Sequence, residues 1–221
     1  MTNKEYVQTL LTTNDIIYID TSSLMNVTAF ENFIENYFEI FMAHSKQIIV
    51  TREVCLEIVK HLSSQNVGKQ DIAKRVIAIF KEYENIFIFE DENLNDVEAN
   101  IAFADSELLS RMTRDRSNFR QLLITNDKNL SIDAYNLNSL NSCKGQRIMV
   151  CYINKNGKLN KGDTGNMERL SNEKNMAESY TEMRTEERQE FPTEESSNGL
   201  KHIFYGLCLF LAGVGLGKFS K

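Results

Sequence analysis

Short apolar runs that stop abruptly at polar or acidic residues, with amphipathic stretches between them, constrain this chain most. The clearest lies in Gln121–Leu130, QLLITNDKNL, where Leu122, Leu123, Ile124 and Thr125 run straight into Asn126-Asp127 and a polar turn. A run of that length bounded by turn residues reads as a buried strand of a parallel sheet. Ile16–Ile19 runs into Asp20 and then Thr21-Ser22-Ser23, Gln47–Val50 into Thr51, and Ile86–Phe89 into Glu90-Asp91-Glu92. Arg147–Ile153 is the last such run. Between them the period changes. Phe30, Phe33, Ile34, Tyr37, Phe38 and Phe41 fall on one helical face. Val54, Cys55, Ile58, Val59 and Leu62 form a second stripe, with Thr51 as its expected cap, and Ile72, Ala73, Val76, Ile77 and Phe80 a third. Parallel neighbours need crossovers, and helices supply them, so the pattern implies an α/β sandwich around a mostly parallel sheet.

The 221 residues suffice for one proper core and an appendage. A net charge of -6 removes the global basic field of a general nucleic-acid binder, although a carboxylate-rich site and an acidic tail both push the balance that way. Cys55, Cys143, Cys151 and Cys208 are scattered without a CxxC pair. A zinc site and a disulfide framework are therefore not expected, and a reducing cytosol is. The N-terminal stretch MTNKEYVQTLLTTND lacks the apolar core of a secretion signal.

Four carboxylates stand out. Asp20 and Asp127 follow strands, and in an open α/β sheet ligands gather beyond the carboxyl ends of the strands. Asp20 also suits the N-cap of the next helix. Asp105 lies four residues after Ile101 in the stripe Ile101, Leu108, Leu109 and Met112 of a helix around Ala99–Met112, where an acid must be paired, hydrogen-bonded or bound to a cation. Glu57 falls on the shoulder of its stripe beside Val54, whereas Glu107 and His61 read as surface. Such acids brought together repel one another, and hard divalent ions with oxygen ligands, Mg²⁺ or Mn²⁺, relieve that repulsion. These ions also activate water and neutralise charge on a phosphodiester. Arg111, Arg114, Arg116 and Arg120 follow Asp105 and are candidates to hold a phosphate backbone. An aspartyl-nucleophile phosphatase is disfavoured, because Ser22 stands where that chemistry places a second Asp.

Past residue 155 the composition shifts. Residues 156–200 read as an acidic link, flexible or a solitary helix, and residues 201–221 as a hydrophobic helix. Ile203–Phe219, about seventeen residues at about 1.5 Å each, just crosses a thin hydrocarbon layer, with Lys218 and Lys221 snorkelling at the far side. That tail implies a membrane anchor on a body at the cytoplasmic face.

The pieces IIYIDTSSL, TREVCLEI, FADSELLSRM and LLITNDKNL, in that order, resemble the PIN-domain nucleases over roughly residues 14–153. The resemblance implies a three-layer α/β/α fold on a five-stranded parallel sheet, and Mg²⁺- or Mn²⁺-dependent endoribonuclease action on single-stranded RNA. It makes Asp20, Asp105 and Asp127 direct or water-mediated metal ligands and lets Glu57 complete the acidic pocket. Ser22, Thr125 and Asn126 become supporting residues, with Asp133 an outer-shell extra. Beyond RNA and a membrane, the partners open to such a chain are a second copy and a regulatory protein. The competing reading is a PIN-like module that binds RNA or protein without cutting.

Overall fold

A computed structural model describes residues 2–90, 104–140 and 144–162. The first element is a helix that its polar composition hides, α1 (Asn3–Thr13). Thr2 and Glu5 close it with a reciprocal capping box, and Val7, Leu10 and Leu11 bury one stripe. Then come β1 (Ile16–Ile19), the single turn α2 (Thr21–Met25) and α3 (Val27–Ala43). Phe30, Phe33, Ile34, Tyr37 and Phe41 of α3 are buried as their spacing requires, while Phe38 is half-buried and Ile40 takes a place in the core. β2 (Ile48–Val50), α4 (Arg52–Leu62), α5 (Val67–Glu82) and β3 (Phe87–Phe89) follow. After them stand α6 (Ala104–Asp115), β4 (Gln121–Ile124), α7 (Lys128–Asn136), β5 (Ile148–Ile153) and β6 (Leu159–Lys161).

The sheet order is β3-β2-β1-β4-β5-β6, parallel from β3 to β5 and antiparallel at β6. Period-two alternation divides its side chains between two cores. Ile17, Ile19, Ile48, Val50, Leu122 and Ile124 face α1, α3, α4 and α5, whereas Tyr18, Leu123, Ile148 and Val150 face Leu108 and Met112 of α6 and Leu130 and Ala134 of α7. The result is helices on both faces of a mostly parallel sheet.

Six strands replace the expected five. The extra one lies past residue 155, in the Gly-, Asn- and Lys-rich stretch that reads as a link. A tight turn makes it: Asn154 Oδ1 accepts the N–H groups of Asn156 and Lys158, each at 3.0 Å, and Gly157 sits at φ 71°. A Cβ on Gly157 would come within 2.5 Å of the Asn32 backbone in α3, so this turn needs a glycine for both reasons. Likewise α7 carries the chain on past Leu130 into the stretch toward Gly145, which is rich in Asn and reads as a connection. The link from residue 163 onward, the hydrophobic tail and Ile101 lie outside the described residues. Among those described, no helix is long and apolar enough to cross a membrane.

From β1 the chain steps outward through β2 to β3, then crosses back to β4 and on to β5. The direction of winding therefore reverses between β1 and β4. Crevices of open α/β sheets form outside the carboxyl ends of such a strand pair.

Candidate functional site

Asp20 stands at that reversal and is only 3% exposed. Its N–H extends the ladder to Ile124 O at 3.0 Å. One carboxylate oxygen, Oδ2, accepts three hydrogen bonds, from Ser22 N at 3.1 Å, Ser22 Oγ at 2.5 Å and Thr125 Oγ1 at 3.0 Å. Asp20 thus caps α2 and lines the crevice at once. Oδ1 takes no hydrogen bond among the described residues.

Around it the three supporting side chains form a closed network. Ser22 Oγ accepts the Asn126 N–H at 3.0 Å, and Thr125 Oγ1 accepts the Asp127 N–H at 3.0 Å. Asn126 Oδ1 accepts from Ser23 Oγ at 2.9 Å and from Ile153 N at 3.1 Å, while its Nδ2 donates to Ile153 O at 2.8 Å. The amide side chain thereby repeats one step of the β4–β5 ladder where the backbones part. Asp127 caps α7, with Oδ1 accepting from Asn129 N at 2.7 Å and Leu130 N at 3.1 Å. Its Oδ2 takes no hydrogen bond among the described residues.

Asp105 is placed differently from its expected position inside an apolar stripe. Ala104, Leu108 and Met112 of α6 are buried, but Asp105 is exposed at the helix's first turn. It is nonetheless in the field of the other acids. Lost hydration raises its carboxyl first, then repulsion from Asp20, Asp127, Glu57 and Asp133, and together these push it up to about 6. Glu57 is half-buried on α4 and Asp133 is exposed on α7. Four other carboxylates therefore act on Asp105. Among the described residues, however, no three His, Cys, Asp or Glu side chains stand close enough to ligate one ion as placed.

Does this donor set suit a hard cation? Its ligating groups are oxygens only, its charge is negative, and Asp20 and Asp127 each keep one carboxylate oxygen unbonded. Mg²⁺ retains several waters and takes only one or two carboxylates directly, so such an ion does not require three acids within ligating distance. Mutual repulsion keeps uncompensated acids apart. The residues fit such an ion.

Arg116 and Arg120 stand away from this edge, whereas Arg111 reaches Glu90 just past β3. α6 runs from the crevice toward the amino ends of the strands, and Arg116, eleven residues past Asp105, is about 16 Å farther along that direction. It is buried, with Nε on Gln146 O at 2.9 Å, Nη2 on Asn138 O at 3.2 Å and Nη1 on Leu137 O. That makes it a pillar of the fold and corrects its assignment to RNA. Arg120 is exposed beside the start of β4, where its backbone pairs with Asp15. Arg111 is paired with Glu90 at 2.5 Å and Arg114 with Asp115 at 2.9 Å. Helix direction, which sequence order conceals, sets the difference.

Thr51 is the N-cap of α4, as expected, through its backbone alone. Its side chain makes no capping bond, and its Oγ1 is buried without a partner. Thr21 Oγ1 and Glu53 Oε2, at the starts of α2 and α4, are in the same condition. Extending the alternation one step past the strand ends would have revealed Thr51. Compared with models of protein families, with curated proteins and with solved structures, the chain matches none.

Proposed function

We propose that this chain is a Mg²⁺- or Mn²⁺-dependent endoribonuclease of the PIN type, cutting single-stranded RNA at the carboxyl edge of the sheet. The observation that supports this reading is a buried Asp20 at the strand pair where the winding reverses, with Asp105 in the field of Asp20, Asp127, Glu57 and Asp133. Asp20, Asp105 and Asp127 would hold the ion, and Glu57 would complete its surroundings. Bound there, a divalent ion supplies a more acidic water and a counter-charge for the phosphodiester. The chain's own groups do the positioning. Ser22 and Thr125 pin Asp20 through Oδ2 and leave Oδ1 to the crevice, and Asn126 locks the turn that carries Asp127. Asp105, raised to about 6, is ionised at neutral pH and takes up a proton in mild acid. Ile203–Phe219 would hold the nuclease to the cytoplasmic face of a membrane, which fractionation of the full chain against one ending near Phe191 would test.

The purified protein cuts an unstructured RNA with Mn²⁺ or Mg²⁺ and stops with EDTA, and Asp105→Asn lowers the rate by about 10³-fold or more with its circular dichroism unchanged. Equal cutting by that variant would remove the mechanism. The second reading, a PIN-like module that binds RNA or protein without cleavage, draws on the absence of three side chains within ligating distance among the described residues. It requires calorimetry to find no divalent-ion site.

A further inference from the structure

Tyr18 of β1 pairs with Ile49 of β2 on one side and with Leu123 of β4 on the other. Two residues on, the same register brings Asp20 level with Thr51 and with Thr125, on the sheet face that carries Tyr18, Leu123 and α6. Asp20 (φ -98°, ψ 157°) and Thr51 (φ -66°, ψ 163°) both keep extended backbone, so the alternation of side-chain direction continues past the strands. Neighbouring strands stand about 4.8 Å apart. Two threonines therefore flank one buried carboxylate.

They are used unequally. Thr125 Oγ1 donates to Asp20 Oδ2 at 3.0 Å. Thr51 is 0% exposed, and its Oγ1 makes no hydrogen bond among the described residues. The asymmetry matches that of the carboxylate between them, which carries three donors on one oxygen and none on the other. Buried hydroxyls are nearly always paired, frequently through ordered water, and a water site needs polar walls. Thr21 Oγ1 and Glu53 Oε2, in residues that follow β1 and β2, are unpaired as well. The backbone carbonyl of Thr51 already accepts the Cys55 N–H at 2.9 Å, so its capping duty does not involve the hydroxyl.

We propose that Thr51 is a positioning residue of the acidic site, its hydroxyl accepting a hydrogen bond from a water in the shell of the cation held by Asp20. It does through water, on the β2 side, what Thr125 does directly on the β4 side. This rests on the metal-dependent reading of the site. It adds a residue from β2, a strand that contributes none of the acids.

The test compares Mn²⁺ affinity, by electron paramagnetic resonance on the full chain, among the parent, Thr51→Val, Thr51→Ser and Asp105→Asn, with melting midpoints taken in EDTA. Thr51→Val keeps the shape and removes the hydroxyl. It weakens Mn²⁺ about tenfold or more while its midpoint in EDTA stays at or above the parent's, and Thr51→Ser restores the affinity. Thr51→Val binding Mn²⁺ as tightly as the parent overturns the proposal, and so does an affinity loss that accompanies a lower midpoint and is not restored by Ser. If Asp105→Asn alone loses Mn²⁺, the metal reading stands without Thr51. A parent that binds no Mn²⁺ overturns both.

Discussion

The two ends of one sheet treat their polar groups in opposite ways. At the amino ends of the strands, the Arg116 guanidinium is buried against the carbonyls of Leu137, Asn138 and Gln146. Asp15 is tied to Arg120 by Oδ2 and by its own N–H, each at 2.9 Å. Gln121 gives its Nε2 to Met112 O at 2.9 Å, leaving Oε1 as the orphan of that end. At the carboxyl ends, by contrast, Asp105 stands in the field of four other acids, Asp20 and Asp127 each hold back one oxygen, and Thr21, Thr51 and Glu53 carry unpaired buried atoms. The first end is satisfied but for Gln121 Oε1 and serves stability. The second is left incomplete, the condition in which local rules give way to a site's needs.

Substitutions at each end can break that contrast. The largest effect is the loss of cutting in Asp105→Asn, which should leave folding intact. Next, Arg116→Met strands three carbonyls in the interior and costs about 3 kcal/mol in urea unfolding, without changing Mn²⁺ affinity of the folded protein. A change in Mn²⁺ affinity there would show that the two ends are coupled. Third, Mn²⁺ at a hundred times its dissociation constant stabilises the parent by about 2.7 kcal/mol, read as a raised melting midpoint, and Asp105→Asn abolishes the shift. The smallest effect is in pH. Asp105 rises from 3.8 unfolded to about 6 folded, so across that window the native state binds a proton that the unfolded chain has released. Stability in EDTA therefore falls as pH climbs through the window and levels off above it. Asp105→Asn is more stable than the parent at pH 7.5 by about 1 kcal/mol, a figure reduced for the residue's exposure, and equal to it below pH 3.8. Chemical denaturation at the two pH values measures the difference.

Strand ends were the legible part of this sequence. Asp20 and Asp127 each follow a run too short and apolar to be anything but a buried strand, and both of Asp20's roles can be read from IIYIDTSS. Asp105 was legible as an anomaly, but its stripe says nothing of how far the first turn of α6 projects from the sheet, and it is exposed. β6 escaped notice because Leu159 is its sole apolar residue, and the strand exists through the turn at Asn154–Gly157 and through pairing with β5. α1 escaped because three apolar residues among threonines and charges make a faint stripe, although Thr2 and Glu5 spell a capping box. Arg116 and Arg120 stand farther from the acids than their place in the sequence suggests, because a helix and a strand that run in opposite directions lie between Asp105 and Asp127.

The return of β6 has a mechanical corollary. Because that strand runs back along β5, with Gly162 N–H donating to Val150 O at 2.8 Å, the last described residue stands level with the middle of β5 and not at the carboxyl edge. A label joined at Gly162 itself therefore pulls on that pairing and leaves the edge that carries Asp20 and Asp127 uncovered.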